Sequence, residues 1–164
     1  MKKIEGNAYI LDIDNINTDD IVPSHCLTLR DSSEMAQYAC ETIDSNFPQK
    51  AENLNIIIAG ENFGCGSSRE EAVNVLKILG IKTIIARSFA RIYFRNLINQ
   101  GIPAITLDWD SSNFSEGDRL EISLEKGMIL NHSKNKEYSF KEIPSFILSI
   151  LEAGGIFKKI QSEL

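Results

Sequence analysis

The chain has 164 residues, of which 43% are hydrophobic and 24% are charged, and its formal net charge is −6. This length and composition predict one globular domain, residues 1–164, with a core of its own. The acidic balance argues against a nucleic-acid-binding surface, and no apolar run is long enough to span a membrane. No signal peptide is predicted, so the expected compartment is the cytoplasm.

The three cysteines, Cys26, Cys40 and Cys65, stand far apart in the sequence. Their odd number and wide spacing argue against a disulfide framework, and with only two histidines they do not make a local four-ligand zinc site. Ligands of iron–sulfur clusters usually occur in closely spaced sets, so a cluster held by these three thiols is the less favoured alternative. We therefore expect no metal or cofactor bound by this chain.

The first third of the chain predicts a strand, a turn and a helix. Residues 7–13 alternate between apolar and polar side chains, as in a strand, and residues 14–20 are rich enough in Asn and Asp to be a structured turn. Asp31 and Glu34 have the spacing of a capping box, which predicts a helix through about Thr42.

The middle of the chain alternates between short apolar runs and amphipathic stretches. The predicted strands are residues 55–59, 82–86 and 103–107, and the predicted helices are residues 68–79 and 88–99. Gly80 ends the first helix, and Ser88 is the expected cap of the second. This order predicts right-handed βαβ units on a parallel sheet.

After Asp108 the pattern changes to short strands separated by turns. Strands are predicted at residues 119–124, 128–131 and 137–140, and a last helix at residues 144–153. The predicted fold class is therefore α/β, with a parallel βαβ core and an added β layer.

A glycine-rich loop, GENFGCGSSRE at residues 60–70, joins a predicted strand to a predicted helix. Gly64 and Gly66 permit left-handed backbone and the close approach of a ligand to the main chain. Ser67 and Glu70 have the spacing of a capping box, so a helix N-terminus, which attracts anions, is expected directly after Ser67.

Arg69 adds to this loop a planar guanidinium suited to a carboxylate. The loop lacks the Gly-Lys-Ser/Thr ending of a P-loop, and Arg69 stands where a dinucleotide fingerprint has its third glycine. These residues predict an anion site. The alternative is a glycine-rich turn with a capped helix and a solvated arginine.

Three strings carry a resemblance to a known family. Residues 60–72 (GENFGCGSSREEA) and 80–103 (GIKTIIARSFARIYFRNLINQGIP) resemble the small subunits of 3-isopropylmalate dehydratase and homoaconitase, and the swivelling C-terminal domain of aconitase. Residues 17–23 (NTDDIVP) resemble the family's N-terminal run, with Asn17 where Asp is commoner. The resemblance covers nearly the whole chain and weakens after Asp108. It implies the swivelling β/β/α fold of the aconitase type.

The resemblance also implies a reaction. In this family a hydroxy-di- or tricarboxylic acid loses water and regains it with the opposite regiochemistry, a step of leucine biosynthesis for isopropylmalate. A large subunit holds the [4Fe-4S] cluster, and the small subunit docks over it as a heterodimer or heterotetramer. The family motif makes Ser67 the base and makes Ser68 and Arg69 ligands of a substrate carboxylate, with Gly64 and Gly66 shaping the loop around them.

Two further assignments come from the matching strings. Asp19 is expected either beside the site, supporting the residues that touch substrate, or as an ordinary residue of an Asx turn. For Arg91 and Arg95 we expect a structural salt bridge or a contact between subunits rather than a catalytic role.

Residues 24–30 (SHCLTLR) occupy the position of the family's specificity loop. Cys26 stands at the usual tyrosine position, and Thr28 stands where homoaconitase-like members carry Arg. Thr28 and Leu29 suit the apolar branch of isopropylmalate, whereas Arg30 offers a charge that would suit a third carboxylate. The small subunits of homoaconitase and of dimethylmalate-type dehydratases therefore remain alternatives.

Two other classes of function stay open. A stand-alone anion- or phosphate-binding module would use the same loop without a partner, but it needs a lysine close to the phosphate, and Lys77 lies almost two turns into the predicted helix. A scaffold or regulatory subunit is the other class.

Overall fold

Residues 3–164 are described in the computed structural model of this protein. The strands are β1 (Ile4–Leu11), β2 (Ile56–Ala59), β3 (Thr83–Ala86), β4 (Ala104–Thr106), β5 (Arg119–Ser123), β6 (Met128–Asn131) and β7 (Lys136–Ser139). The α-helices are α1 (Thr18–Ile21), α2 (Ser32–Ala36), α3 (Phe47–Ala51), α4 (Glu71–Ile78), α5 (Arg91–Asn99), α6 (Ser145–Ala153) and α7 (Ile156–Glu163), and a 3₁₀ helix spans Ser24–Thr28. Within residues 3–164, no helix has the length and apolar character needed to cross a membrane.

The strands form one mixed sheet in the order β4-β3-β2-β1-β5-β6-β7. The second half of β1 pairs with β2 in parallel, from Ala8 to Leu11. The first half of β1 pairs with β5 in the antiparallel sense, with Ile4 opposite Ile122. The two halves of one strand therefore join a parallel and an antiparallel part of the sheet. The predicted fold class, a parallel βαβ core with added strands, is confirmed.

The parallel half is the most deeply buried part of the molecule. Every residue of β2 and β3 is buried, as expected for parallel strands that are covered on both faces. Helix α4 contributes the apolar face that the sequence predicts, with Ala72, Val73 and Leu76 in the core. The rigidity of this half fixes the position of the loops that leave its carboxyl edge.

The predicted strands occur in the predicted order, with ends that differ by a few residues, whereas the first helices differ more. Asp31 does cap α2 by accepting a hydrogen bond from the Ser33 N–H, but the helix ends at Ala36 rather than near Thr42. Residues 37–39 form turns, and Cys40 prevents a helix from continuing to Thr42, because its backbone is left-handed (φ 55°) and its N–H donates to the Ile21 carbonyl.

Three α-helices were not predicted, namely α1, α3 and α7. The Asx-rich turn contains α1, which begins with a capping box between Asn17 and Asp20. The C-terminal helix α7 follows Gly155 and buries none of its residues.

Candidate active site

The loops after β1, β2 and β3 lie side by side, because the carboxyl ends of parallel strands share one edge of the sheet. These loops are residues 12–17, 60–70 and 87–90. The glycine-rich loop comes from β2, the middle strand of the three, so it has a neighbouring loop on each side.

On the β1 side, main-chain hydrogen bonds hold the glycine-rich loop. The Gly64 N–H donates to the Ile16 carbonyl (2.7 Å), and the Thr18 N–H donates to the Cys65 carbonyl (2.9 Å). The Thr18 hydroxyl then donates to the main-chain carbonyl of Ser67 (2.7 Å). Thr18 is buried, so a buried side chain fixes the backbone of the residue that is predicted to be catalytic.

On the β3 side, Phe63 exchanges main-chain hydrogen bonds with Ser88 (3.1 Å) and Ala90 (2.9 Å). The Ser88 hydroxyl accepts a hydrogen bond from the Asn62 N–H (2.7 Å). The prediction that Ser88 caps the following helix is therefore wrong. Helix α5 begins after Ala90 without a side-chain cap, because the serine is used to hold the loop.

Gly64 is required by both its backbone and its surroundings. Its φ is +82°, and a Cβ at this position would lie 2.2 Å from ring atoms of Tyr93. Tyr93 is buried, and its hydroxyl donates to the Ala72 carbonyl (2.8 Å). Burial raises the pKa of Tyr93 well above its usual value, so an uncharged ring packs against the loop.

The predicted capping box of Ser67 and Glu70 is wrong. Helix α4 begins at Glu71, with Glu70 as its N-cap and no side-chain cap. The Glu70 carboxylate instead accepts a hydrogen bond from the Gln100 amide (3.0 Å). The side chains of Ser67 and Ser68 are exposed, and neither hydroxyl forms a hydrogen bond with another residue in the described part of the chain.

Arg69 forms an ion pair with Asp19, with 2.8 Å between Nη1 and Oδ1. The Arg69 side chain is 21% exposed and that of Asp19 is 58% exposed. Nη1 is buried and its N–H bonds are not aligned on an acceptor, so the contact is an ion pair by distance rather than a well-directed hydrogen bond. The structure thus places Asp19 beside Arg69, where it orients the guanidinium.

A pocket of about 280 Å³ opens at this loop. It is lined by Thr18, Gly64, Gly66, Ser68, Ala90, Arg91, Ile92, Tyr93 and Asn96. Four of these residues, 90–93, form the uncapped start of α5, so the helix end at the pocket is that of α5 rather than of α4. Free N–H groups and the helix dipole make such an end favourable for an anion.

Sequence patterns did not place Arg91 or Asn96 at this pocket. Arg91 lies inside a family-matching string, which was the only signal that pointed to it. Asn96 lies in the same string but was not singled out, because a polar residue on an amphipathic helix ordinarily faces solvent.

The predicted specificity residues lie apart from this pocket. Thr28 and Arg30 are exposed and Leu29 is half-buried, and none of the three lines the pocket. The Thr28 hydroxyl donates to the His25 carbonyl (3.3 Å) within its own turn. Arg30 forms no ion pair with any residue between 3 and 164.

The cysteines do not fit a metal cluster. No three His, Cys, Asp or Glu residues between residues 3 and 164 are grouped to hold a metal ion. Cys26 and Cys40 are buried, and burial is the main cause that raises the pKa of both thiols. Thiols with a raised pKa are poor ligands, because a metal binds the thiolate.

A larger cavity of about 680 Å³ lies between α5 and α6. Its walls are mostly apolar, with Phe89, Phe94 and Ile147 among them. Ser68 lines the smaller pocket and not this cavity, whereas Ser67 and Arg69 line neither of the two. We place the candidate active site at the smaller pocket. The backbone of Gly64 and Gly66, Ser68 with its unbonded hydroxyl and the uncapped start of α5 all line this pocket.

Residues 1–110 match the family described as the aconitase C-terminal domain. The chain belongs to this family. The match includes the glycine-rich loop and both of its neighbouring loops, and it ends before the antiparallel half of the sheet.

Relatives within the family share nearly the whole length of the chain. It is 43% identical to the 3-isopropylmalate dehydratase small subunit of Thermodesulfovibrio yellowstonii, over 99% of this chain and 96% of that protein. It is 41% identical to small subunit 1 of the same enzyme from Methanopyrus kandleri, over 98% of this chain and 94% of that protein. The corresponding small subunit 1 of Thermotoga maritima is 46% identical, over 87% of this chain and 86% of that protein.

The fold agrees with a solved structure from the same family. The crystal structure of 3-isopropylmalate dehydratase (LeuD) from Methanocaldococcus jannaschii superposes with a TM-score of 0.90. The two chains are 40% identical, and the superposition covers 99% of this chain and 95% of the other. The antiparallel half, which lies beyond the family match, is therefore also shared.

Proposed function

We propose that this chain is the small subunit of a 3-isopropylmalate dehydratase, and that it acts with a large subunit to interconvert 2-isopropylmalate and 3-isopropylmalate. The observation that carries the proposal is similarity along the whole chain to proteins named as this subunit, at 41–46% identity. That similarity covers both the glycine-rich loop and the antiparallel half of the sheet.

In the proposed reaction, a proton leaves the carbon beside a carboxylate while the hydroxyl leaves the neighbouring carbon. Water then adds to the resulting double bond in the opposite sense. Ser67 is the proposed base, and Ser68 and Arg69 are proposed to hold a substrate carboxylate. A [4Fe-4S] cluster, when bound by the large subunit, supplies a Lewis acid for the departing hydroxyl.

The geometry supports these roles in three ways. The Ser67 hydroxyl is exposed and has no hydrogen bond to another residue in the range 3–164, so it is free to face a substrate, while its carbonyl is fixed by Thr18. Arg69 is oriented by Asp19. The start of α5 adds unpaired N–H groups, which favour negative charge, at the adjoining pocket that Ser68 lines.

A neutral hydroxyl is a weak base, so Ser67 is proposed to act as its alkoxide, and that anion needs surrounding positive charge to stabilise it. Arg69 and the α5 terminus supply part of that charge. Exclusion of water strengthens both effects, and the exposed Ser67 and Ser68 require a second protein surface to exclude water. This need is met by a partner that covers the loop, which agrees with the name of a small subunit.

The first test is reconstitution. The purified chain alone is expected to bind no iron–sulfur cluster and to show no dehydratase activity, whereas the chain mixed with its cognate large subunit converts isopropylmalate. Anaerobic reconstitution with iron and sulfide analysis measures the first expectation, and a coupled dehydratase assay measures the second. Stoichiometric cluster on the isolated chain would overturn the two-subunit proposal.

Ser67→Ala tests the base. In the reconstituted complex, kcat is expected to fall by roughly a hundredfold to ten-thousandfold, with KM within a few-fold, because a proton acceptor acts mainly in the transition state. Ser68→Ala is the matched control in the same exposed loop and should act mainly on KM. Wild-type kcat in Ser67→Ala would show that another group takes the proton.

The alternatives are not favoured. The relatives described above carry the isopropylmalate name, rather than those of homoaconitase or a dimethylmalate dehydratase. A stand-alone phosphate module fits poorly, because no lysine among residues 3–164 lines the pocket at the loop.

A further inference from the structure

The outer surface of α5 and α6 carries features that the proposed reaction does not use. We define the α5–α6 rim as Arg91, Ile92, Arg95 and Phe146. Ile92 is 58% exposed and Phe146 is 65% exposed. Arg91, Arg95 and Phe146 border the cavity of about 680 Å³, whose floor is apolar. Large exposed apolar side chains beside an apolar cavity are typical of a surface that another molecule covers.

The two arginines of this rim lack counter-charges. Arg91 and Arg95 are four residues apart on one helix, so their side chains are neighbours and repel each other. Neither forms an ion pair or a side-chain hydrogen bond with another residue of the range 3–164. The chain has a net charge of −6, yet within residues 3–164 no Asp or Glu lines the cavity that Arg91 and Arg95 border. An acidic group from another molecule would relieve this repulsion.

The rim is continuous with the candidate active site. Arg91 lines both the large cavity and the pocket at the glycine-rich loop, and Ile92 belongs to the pocket. A partner protein that covers Ser67 and Ser68 closely enough to exclude water therefore also covers the start of α5.

We infer that the α5–α6 rim is a docking surface for an acidic, amphipathic segment of the large subunit, with carboxylates that meet Arg91 and Arg95 and apolar side chains that enter the cavity beside Phe146. This inference rests on the proposed function, because it takes the large subunit as the occupant. It adds the place of contact and the chemistry of the segment that binds there.

A second copy of this chain is a weaker fit. The exposed apolar residues available for such a contact include Phe157 and Ile160 on α7. The same helix carries Lys158, which would approach the arginines with like charge, and the acidic Glu163 of that helix is already paired with Lys159.

The test is the affinity of the chain for its cognate large subunit, measured by isothermal titration with purified proteins. Arg95→Glu and Phe146→Ser are each expected to weaken binding by tenfold to a hundredfold, since like charges across an interface and lost apolar anchors both oppose association. Raising the salt concentration should weaken the wild-type complex more than the Arg95→Glu complex. Lys126→Glu, a charge reversal at the antiparallel end of the sheet, is the control and should bind within twofold of wild type.

The outcomes separate this inference from the proposed function. If wild type forms no complex with the large subunit, the proposed function itself fails. If wild type binds and converts isopropylmalate while Arg95→Glu and Phe146→Ser bind equally well, only the docking surface is wrong. Self-association of the isolated chain in sedimentation runs, abolished by Phe146→Ser, would instead assign the rim to a second copy and overturn the inference. At saturating large subunit, Arg95→Glu should keep its kcat, because Arg95 lies outside the pocket at the loop.

Discussion

The glycine-rich loop at residues 60–70 and the segment at residues 24–30 differ in what holds them in place. The loop is held on both sides by main-chain hydrogen bonds to neighbouring loops, and Gly64 is pressed against a buried ring. The segment is a 3₁₀ turn whose hydrogen bonds lie mostly within itself, and Cys26 is its buried residue.

This difference matches the roles proposed for the two regions. The proposed chemistry, which needs fixed geometry, falls on a loop whose backbone is held on both sides. The proposed substrate choice falls on exposed side chains, which can change without disturbing the fold. Surface substitutions away from special contacts usually change the stability by less than about 0.5 kcal/mol.

The strongest test of the rigid region is Gly64→Ala. Its new Cβ would lie 2.2 Å from the Tyr93 ring, and the φ of +82° is itself unfavourable, so the free energy of unfolding should fall by about 3 kcal/mol or more. Gly66→Ala is the matched control: its φ is +92°, but the nearest atom is 3.5 Å away, so only the backbone cost of about 1 to 2 kcal/mol applies. Denaturant unfolding measures both. If the two variants lose the same free energy of unfolding, the Tyr93 ring does not constrain the loop.

Arg69→Lys tests the side chain that the rigid loop presents. In the reconstituted complex KM should rise by about tenfold or more, because an ammonium does not reproduce the two parallel hydrogen bonds of a guanidinium to a carboxylate. Asp19→Asn should raise KM less, since it removes only the group that orients Arg69. Steady-state kinetics with isopropylmalate gives both values. An unchanged KM in Arg69→Lys would mean that Arg69 does not bind the substrate carboxylate.

Asp44 follows the exposed segment at residues 24–30, and its carboxylate contacts Tyr9 of the core. Hydrogen bonds from Lys50 (2.8 Å) and from the Tyr9 hydroxyl (2.6 Å) lower the pKa of Asp44 to about 2. Because the folded pKa lies below the unfolded value of about 4, this stabilisation is complete above pH 4 and is lost as the pH falls toward 2.

Asp44→Asn should therefore lower the free energy of unfolding by about 1 kcal/mol at pH 7, a figure reduced for the partial exposure of the carboxylate. The difference between wild type and variant should shrink as the pH falls from 4 to 2 in denaturant titrations. A difference that stays constant across this range would mean that the charge of Asp44 contributes nothing.

Arg30→Ala should have the smallest effect on stability, within about 0.5 kcal/mol, because Arg30 is exposed and forms no ion pair in the described residues. We expect isopropylmalate to be preferred over a homocitrate-type tricarboxylate by both wild type and variant. Values of kcat/KM for the two substrates, measured with the cognate large subunit, decide this. If the tricarboxylate is preferred by wild type and loses its lead in Arg30→Ala, the homoaconitase alternative is correct.

The sequence predicted the parallel strands and the loop well because both have local signals. Apolar runs of isoleucine mark β2 and β3, and glycines with Ser67 and Arg69 mark the loop. The role of Ser67 remains a prediction.

Two helix starts were predicted wrongly. Ser67 and Ser88 both have the residue type of a cap, but residues distant in sequence hold the Ser67 main-chain carbonyl and the Ser88 hydroxyl. Thr18 binds the Ser67 carbonyl, and Asn62 binds the Ser88 hydroxyl. Capping patterns describe competition within a few residues, so they do not register a partner from another loop. The pairing of Arg69 with Asp19 is hidden from local patterns in the same way.

The central position of β1 has a consequence for biosynthesis. This strand is made well before β5, yet Ile4 pairs with Ile122, so half of one edge stays open until β5 has been made. Such distant pairing slows folding, and an unpaired strand edge recruits other chains. A fragment that stops at residue 110, where the family match ends, keeps the loop with Ser67 but leaves that edge of β1 uncovered. We expect it to aggregate, although every residue of the candidate active site is present.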